Sequence, residues 1–329
     1  MANDTKEIET MNKILIIGPI PTTAGVGGVT IHVQRLIQYL ENNSPNTCDF
    51  LDYKRISFNT LLNLIRKYNC IHIHFSNPYV RLIITLWACL FRTKVITTFH
   101  GNYCNLRLVK KLILTVTLKT TDIPIVINQP SFDYCILRNH NTILIPAFIP
   151  PSKEQPLNSH ILALINNIQA SRKLIISTNA SALSYDENGN ETYGIKFLIN
   201  FFNNKPDIML LISDPTGQNK EKYESMAKNV MFISYPHSYY EILKRVDISI
   251  RNTSTDGDSL SVKESLYLGC RTICSDVVNR PAGCYLFHYS DAGSLTKAIE
   301  SAMEADNVPM SLENGAVQLN KLYNSILTS

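Results

Sequence analysis

Among eight cysteines the 329-residue chain has no C-x-x-C pair. Cys48, Cys70, Cys89, Cys104, Cys135, Cys270, Cys274 and Cys284 are scattered, most of them inside apolar runs, where a free thiol packs as a small hydrophobe. Neither a secreted disulfide framework nor a redox pair is therefore expected. Residues 1–10 are polar and acidic and lack the basic flank and apolar centre of a secretory leader; residues 1–11 are expected to be a loose extension before the first strand. The longest apolar stretch, Leu82 to Phe91, is too short to cross a bilayer and predicts a buried helix. No short-period repeat is present. With 45% hydrophobic and 18% charged residues, what remains is a globular, cytoplasmic protein, and its length predicts two domains.

The order of apolar segments gives the fold class. Short apolar runs predict strands at 13–20, 48–53, 70–75, 94–100, 123–128 and 142–148, separated by helical patterns, and those rich in Ile and Val without alternation predict burial on both faces. Pro146, Pro150 and Pro151 then interrupt both helix and sheet. Beyond them the alternation resumes, with strands at 173–178, 208–213, 230–234, 248–252, 271–275 and 285–289 and a helix over 310–327. This predicts an α/β protein of two Rossmann-like domains with parallel sheets: residues 12–148, then 149–308, then a C-terminal helix in 309–329 that packs back on the first domain. Ligands of such sheets bind beyond the carboxyl ends of the strands. Charge differs between the halves: residues 1–150 carry 15 Lys/Arg against 8 Asp/Glu, and residues 151–329 carry 16 against 19. The basic half is suited either to an anionic surface or simply to solvent.

The most informative segment runs Arg251-Asn-Thr-Ser-Thr-Asp256-Gly-Asp258-Ser259-Leu260-Ser261-Val-Lys263-Glu264, between a predicted strand and a helix. A helix start offers unpaired N–H groups to phosphate, and carboxylates beside it can accept from sugar hydroxyls. A purely structural reading competes: Ser261-x-x-Glu264 has the form of a capping box, and Asp256-Gly257 that of a turn. In the first half, Gly18 to Gly28 is a glycine-containing loop after the first strand, with Gly25, Gly27 and Gly28 before a helix. A dinucleotide fingerprint would need a third glycine, where Thr30 stands, and a shorter loop. His72 and His74 point to the same side of their strand, but no third residue has convincing metal-ligand spacing, so core histidines are expected. The helix carrying Arg107, Lys110, Lys111 and Lys119 is apolar between its charges, which fits either an anionic lipid surface or a solvated face.

The segment from Arg251 to Asp276 resembles the signature of glycosyltransferase family 4, the retaining GT-B enzymes: an acidic residue, seven residues, Glu, then a helix ending in glycine and a strand. The sub-pattern Thr-Asp-Gly-Asp-Ser…Lys-Glu…Leu-Gly is similar to a branch found among bacterial polysaccharide-assembly enzymes. The resemblance implies that Glu264 binds the ribose, that Asp256 holds hydroxyls of the transferred sugar, and that the backbone from Asp258 to Ser261 meets the diphosphate. It also implies that His100, before Gly101, faces the sugar and that Gly27 and Gly28 belong to a loop opposite the donor. The implied reaction is transfer from a nucleoside diphosphate sugar, UDP-linked, to a hydroxyl of a glycan acceptor. That acceptor is a lipid-linked surface saccharide such as O-antigen or capsule, met at the inner face of the membrane. No metal, further cofactor or nucleic acid is expected. Two departures matter. The first acidic position is Asp where the family more often has Glu. Asn179 and Tyr193 stand where the family carries Arg and Lys for the diphosphate, leaving Arg251 and Lys263 as the cations able to replace them. A protein that binds a nucleotide sugar or glycan without turnover is the alternative.

Overall fold

A computed structural model describes residues 13–20, 27–101, 103, 108–153, 155–171, 173–226, 229–306 and 308–328. The expected N-terminal extension, most of the glycine loop and Arg107 lie outside these residues. The chain forms two compact units, one built mainly from residues 13–20, 28–152 and 313–328, the other from residues 153–312.

The first unit holds a six-stranded, all-parallel sheet of β1 (Ile14–Gly18), β2 (Cys48–Asp52), β3 (Cys70–Ile73), β4 (Lys94–Phe99), β5 (Ile123–Val126) and β6 (Ile143–Leu144) in the order β2-β1-β3-β4-β5-β6. Every residue of β1 and β3 is buried, as strands covered on both faces require. Helices Gly28–Asn43, Phe58–Ile65, Pro78–Leu90, Leu108–Lys119 and Gln129–Ile136 connect the strands. β6 is shorter than the apolar run predicts, because Pro146 lacks the N–H that a continuing ladder needs. The helix Gly315–Leu327 belongs to this unit: Ala316, Leu319 and Tyr323 share a core with Ile14, Ile16, Leu36 and Ile96. Its first residue has to be glycine, since a Cβ there would lie 2.1 Å from the Pro146 carbonyl oxygen, and the Gly315 N–H donates to Phe148 at 2.8 Å.

The second unit repeats the architecture with β7 (Leu174–Asn179), β8 (Ile208–Ser213), β9 (Val230–Ile233), β10 (Ile248–Arg251), β11 (Arg271–Ser275) and β12 (Cys284–Phe287), all parallel, in the order β12-β11-β10-β7-β8-β9. Strand order reverses between β7 and β10, which opens a crevice at their carboxyl ends. Helix Ile195–Phe202 buries Ile195, Leu198, Ile199 and Phe202 on the sheet; each such side chain contributes about 1.5–3 kcal/mol of burial. Gly194 precedes it at φ 50°, and a Cβ there would strike the Asn252 amide at 2.1 Å. That amide donates to the Gly194 carbonyl at 3.1 Å, tying the end of β10 to the helix.

Candidate functional site

Arg251 ends β10 at the point where strand order reverses, and its guanidinium organises what surrounds it. Nε and Nη2 donate to the two oxygens of Asp256 at 3.1 and 3.2 Å, and Nη1 donates to Asn179 Oδ1, at the end of β7, at 3.4 Å. The same group lies over the Tyr193 ring, 4.9 Å from its centroid. Asn179 and Tyr193, which replace the expected cations, are thus both in contact with Arg251. A second arginine, which the motif does not reveal, completes the cluster. Arg280 Nη1 donates to Asp256 Oδ2 at 2.8 Å and Nε to the Ser275 carbonyl at 3.0 Å, while Nη2 is buried without a partner. Burial alone would raise the Asp256 pKa; Arg251 and Arg280 outweigh it, and the carboxyl ionises below the usual carboxylate range. One carboxylate between two guanidiniums leaves one positive charge in excess.

The helix Leu260–Tyr267 starts beside this cluster. Its N-cap is Ser259, whose side chain makes no capping bond and instead meets Ser261 Oγ at 3.1 Å. This overturns the capping-box reading: Ser261 already lies inside the helix, and Glu264 falls in the second turn, where it is buried with 2% of its surface exposed. Lys263 pairs with Asp258, so neither contributes net charge. Asp256, expected to hold sugar hydroxyls, has both oxygens engaged by arginines and also accepts from the Gly257 N–H at 3.1 Å.

In the first unit, His100 follows β4, and a ring nitrogen of His74, which follows β3, lies 3.0 Å from its Nε2. His74 is placed by its own N–H, which donates to the Ile17 carbonyl of β1 at 2.8 Å. His32, from the helix after β1, completes a group in which one ring nitrogen of each histidine lies within 4.8 Å of the others. His72 lies tilted against His74 but is satisfied separately, by the Tyr323 hydroxyl and by Thr98 Oγ1 at 2.8 Å. Burial is the main cause that lowers the pKa of His32 to about 4 and of His72 to about 3, and it lowers His74 and His100 well below the ordinary value. All four are neutral imidazoles at pH 7. Gly27 and Gly28 have open space where a Cβ would stand, so packing against the described residues does not require glycine there. Helix Leu108–Lys119 exposes Leu108, Val109 and Leu112 beside Lys110 and Lys111. No helix among the described residues is long and apolar enough to cross a membrane.

No family model matches the chain, and no curated protein matches it in sequence. Solved structures do match in fold. HepE from Anabaena, in complex with UDP and glucose, superposes with a TM-score of 0.66 at 11% identity, over 96% of this chain and 99% of that one. Sucrose-phosphate synthase from Thermosynechococcus elongatus gives 0.65 at 15% identity, with the same coverage. A UDP-forming trehalose-phosphate synthase from Burkholderia xenovorans gives 0.62 at 12% identity, over 90% and 93%. With its two parallel six-stranded sheets, the chain has the GT-B fold.

Proposed function

We propose that the chain is a glycosyltransferase whose second unit holds a nucleoside diphosphate sugar, UDP-linked, at the carboxyl ends of β7 and β10. The observation that carries this reading is the Arg251–Asp256–Arg280 cluster: an excess positive charge with a buried, unpartnered guanidinium nitrogen beside an uncapped helix start. A diphosphate satisfies both features, and its charge is stabilised as it leaves. HepE, which shares this fold, was solved in complex with UDP and with UDP-glucose. Glu264, buried in the second turn, is the proposed ribose ligand, and the backbone from Asp258 to Ser261 the proposed diphosphate contact. Asp256 sets the arginines in place as well as facing the sugar. His100, at the carboxyl end of β4, is the proposed catalytic histidine. The acceptor is a glycan hydroxyl, transfer proceeds with retention, and the setting is bacterial surface polysaccharide assembly on a lipid-linked acceptor at the inner membrane face. The exposed apolar and basic residues of helix Leu108–Lys119 suit that surface.

A second reading, binding of a nucleotide sugar without turnover, draws on Asn179 and Tyr193, which hold Arg251 where cations would face the diphosphate. Thermal shift of the purified protein against UDP, other nucleotides and their sugars tests both, because a ligand that binds only the native state raises the melting temperature. A rise with UDP or one UDP-sugar, absent in Glu264→Ala, is expected. Transfer to an acceptor under the same conditions separates the enzyme from the binder. No response from folded protein to any nucleotide would sink the donor site.

A further inference from the structure

We propose that His32, His74 and His100 together bind a divalent first-row transition-metal ion, zinc being the simplest, at the carboxyl edge of β1, β3 and β4. This goes beyond the donor site and rests on the histidine geometry alone, although it uses His100, to which the functional reading also gives a role. The sequence reading, which sees only His72 and His74, expects no metal. The fold changes the donor set: it assigns His72 to Tyr323 and Thr98, and it brings His32 and His100 to His74 from separate elements.

Three observations carry the assignment. First, the ring nitrogens lie within 4.8 Å of one another. Tetrahedral zinc with bonds of about 2.0–2.1 Å needs about 3.4 Å between ligand nitrogens, a contraction that side-chain torsions supply. Second, His32 Nδ1 lies 2.8 Å from the Ala147 carbonyl, an oxygen that can only accept. That bond puts the proton on Nδ1 and leaves the Nε2 lone pair bare, and Nε2 is buried with no partner. A ring N–H held by a carbonyl, with the opposite nitrogen free, is how metal-binding imidazoles are oriented. Third, His74 Nε2 is buried without a partner, and its Nδ1 lies 3.0 Å from His100 Nε2, so these two facing nitrogens hold one proton between them.

The chemistry of the group defines its ligand. Three imidazoles and no carboxylate suit zinc, copper or nickel over magnesium or calcium, which take oxygen. The rings are neutral, as metal binding requires, because burial disfavours their protonation.

The test uses the full chain, stripped with chelator and titrated with zinc by calorimetry and with cobalt by absorption. One equivalent per chain is expected, with the absorption of tetrahedral cobalt. His32→Gln and His74→Gln should each weaken binding on the order of 100-fold, while His160→Gln, at an exposed position, should leave it intact. Should the buried variants fail to fold, X-ray absorption of the loaded wild-type protein should count three imidazole nitrogens around the ion. Absence of stoichiometric binding, equal binding in His32→Gln and His160→Gln, or a shell made only of oxygen would overturn the proposal.

Discussion

Several helices begin differently in the two units. In the first unit Ser57, Asn77 and Asn128 each accept from a backbone N–H at the start of their helices, which satisfies donors that a helix start leaves orphaned. In the second unit the helices that follow β7, β8, β9 and β10 start at Gly194, Gly217, Ser238 and Ser259, and none of these four residues caps its helix with its side chain; Glu191 and Asp214 accept instead from the Lys196 and Lys220 N–H groups, while Asn158 and Asp291 cap the unit's helices Ser159–Ala170 and Ala292–Glu304. Charge divides the same way. The first unit gathers neutral imidazoles at its strand ends, whereas the second gathers ionised arginine and aspartate. Two sheets of one architecture thus present a metal-type donor set in one case and an anion-type donor set in the other. The difference is made by the few residues that follow each strand.

The comparison can be broken most severely at Asp256. Asp256→Ala leaves Arg251 and Arg280 buried without their shared carboxylate, and a loss of about 3–5 kcal/mol is expected in denaturant unfolding. A loss below about 1 kcal/mol would mean that the cluster is solvated and the charged half less distinct than its geometry says. Acid tests the other half. In chelator-treated protein the native state keeps His32 and His72 neutral, while the unfolded chain protonates them below about pH 6.5. Between that pH and the folded values of about 4 and about 3, the unfolded state binds more protons, so stability falls as pH falls. Urea midpoints measured from pH 7 to pH 4 should show this decline, and Tyr323→Phe, which strips His72 of its hydroxyl partner, should lower the whole curve by about 1–3 kcal/mol. Gly315→Ala should cost about 1–3 kcal/mol by pushing a methyl against the Pro146 carbonyl, read as a lower melting temperature. The smallest effect is a pair. Asn77→Ala, which removes bonds to the N–H groups of Tyr79 and Val80, should cost about 1 kcal/mol, whereas Ser259→Ala should cost less than about 0.5 kcal/mol. Equal costs would erase the contrast in capping.

Much of this was legible in the chain before its structure. Apolar runs such as Ile14–Ile17 and Ile208–Ile212 mark buried parallel strands, and the runs read from the sequence overlap all twelve, including β2 and β12, which contain neither Ile nor Val. The segment after β10 stood out because its charges, glycine and helix start lie together in sequence. Arg280 and His32 did not stand out. Each reaches its partners from a different strand–helix turn, and parallel strands bring their carboxyl ends together regardless of separation along the chain. The capping box failed for a local reason: the helix starts before Ser261, so the spacing to Glu264 is right but its position in the helix is not.

The helix Gly315–Leu327 has a consequence for how the protein is made. Leu319 and Tyr323 complete a core whose other members, Ile14, Ile16 and Leu36, are translated long before them. Residues 153–312 form their own unit and can close their sheet while that earlier core still waits for its last helix. The half synthesised first is therefore the half that finishes folding last. During that interval its apolar face is exposed to chaperones and to other nascent chains, and a chain stopped short of Leu319 would keep that face open.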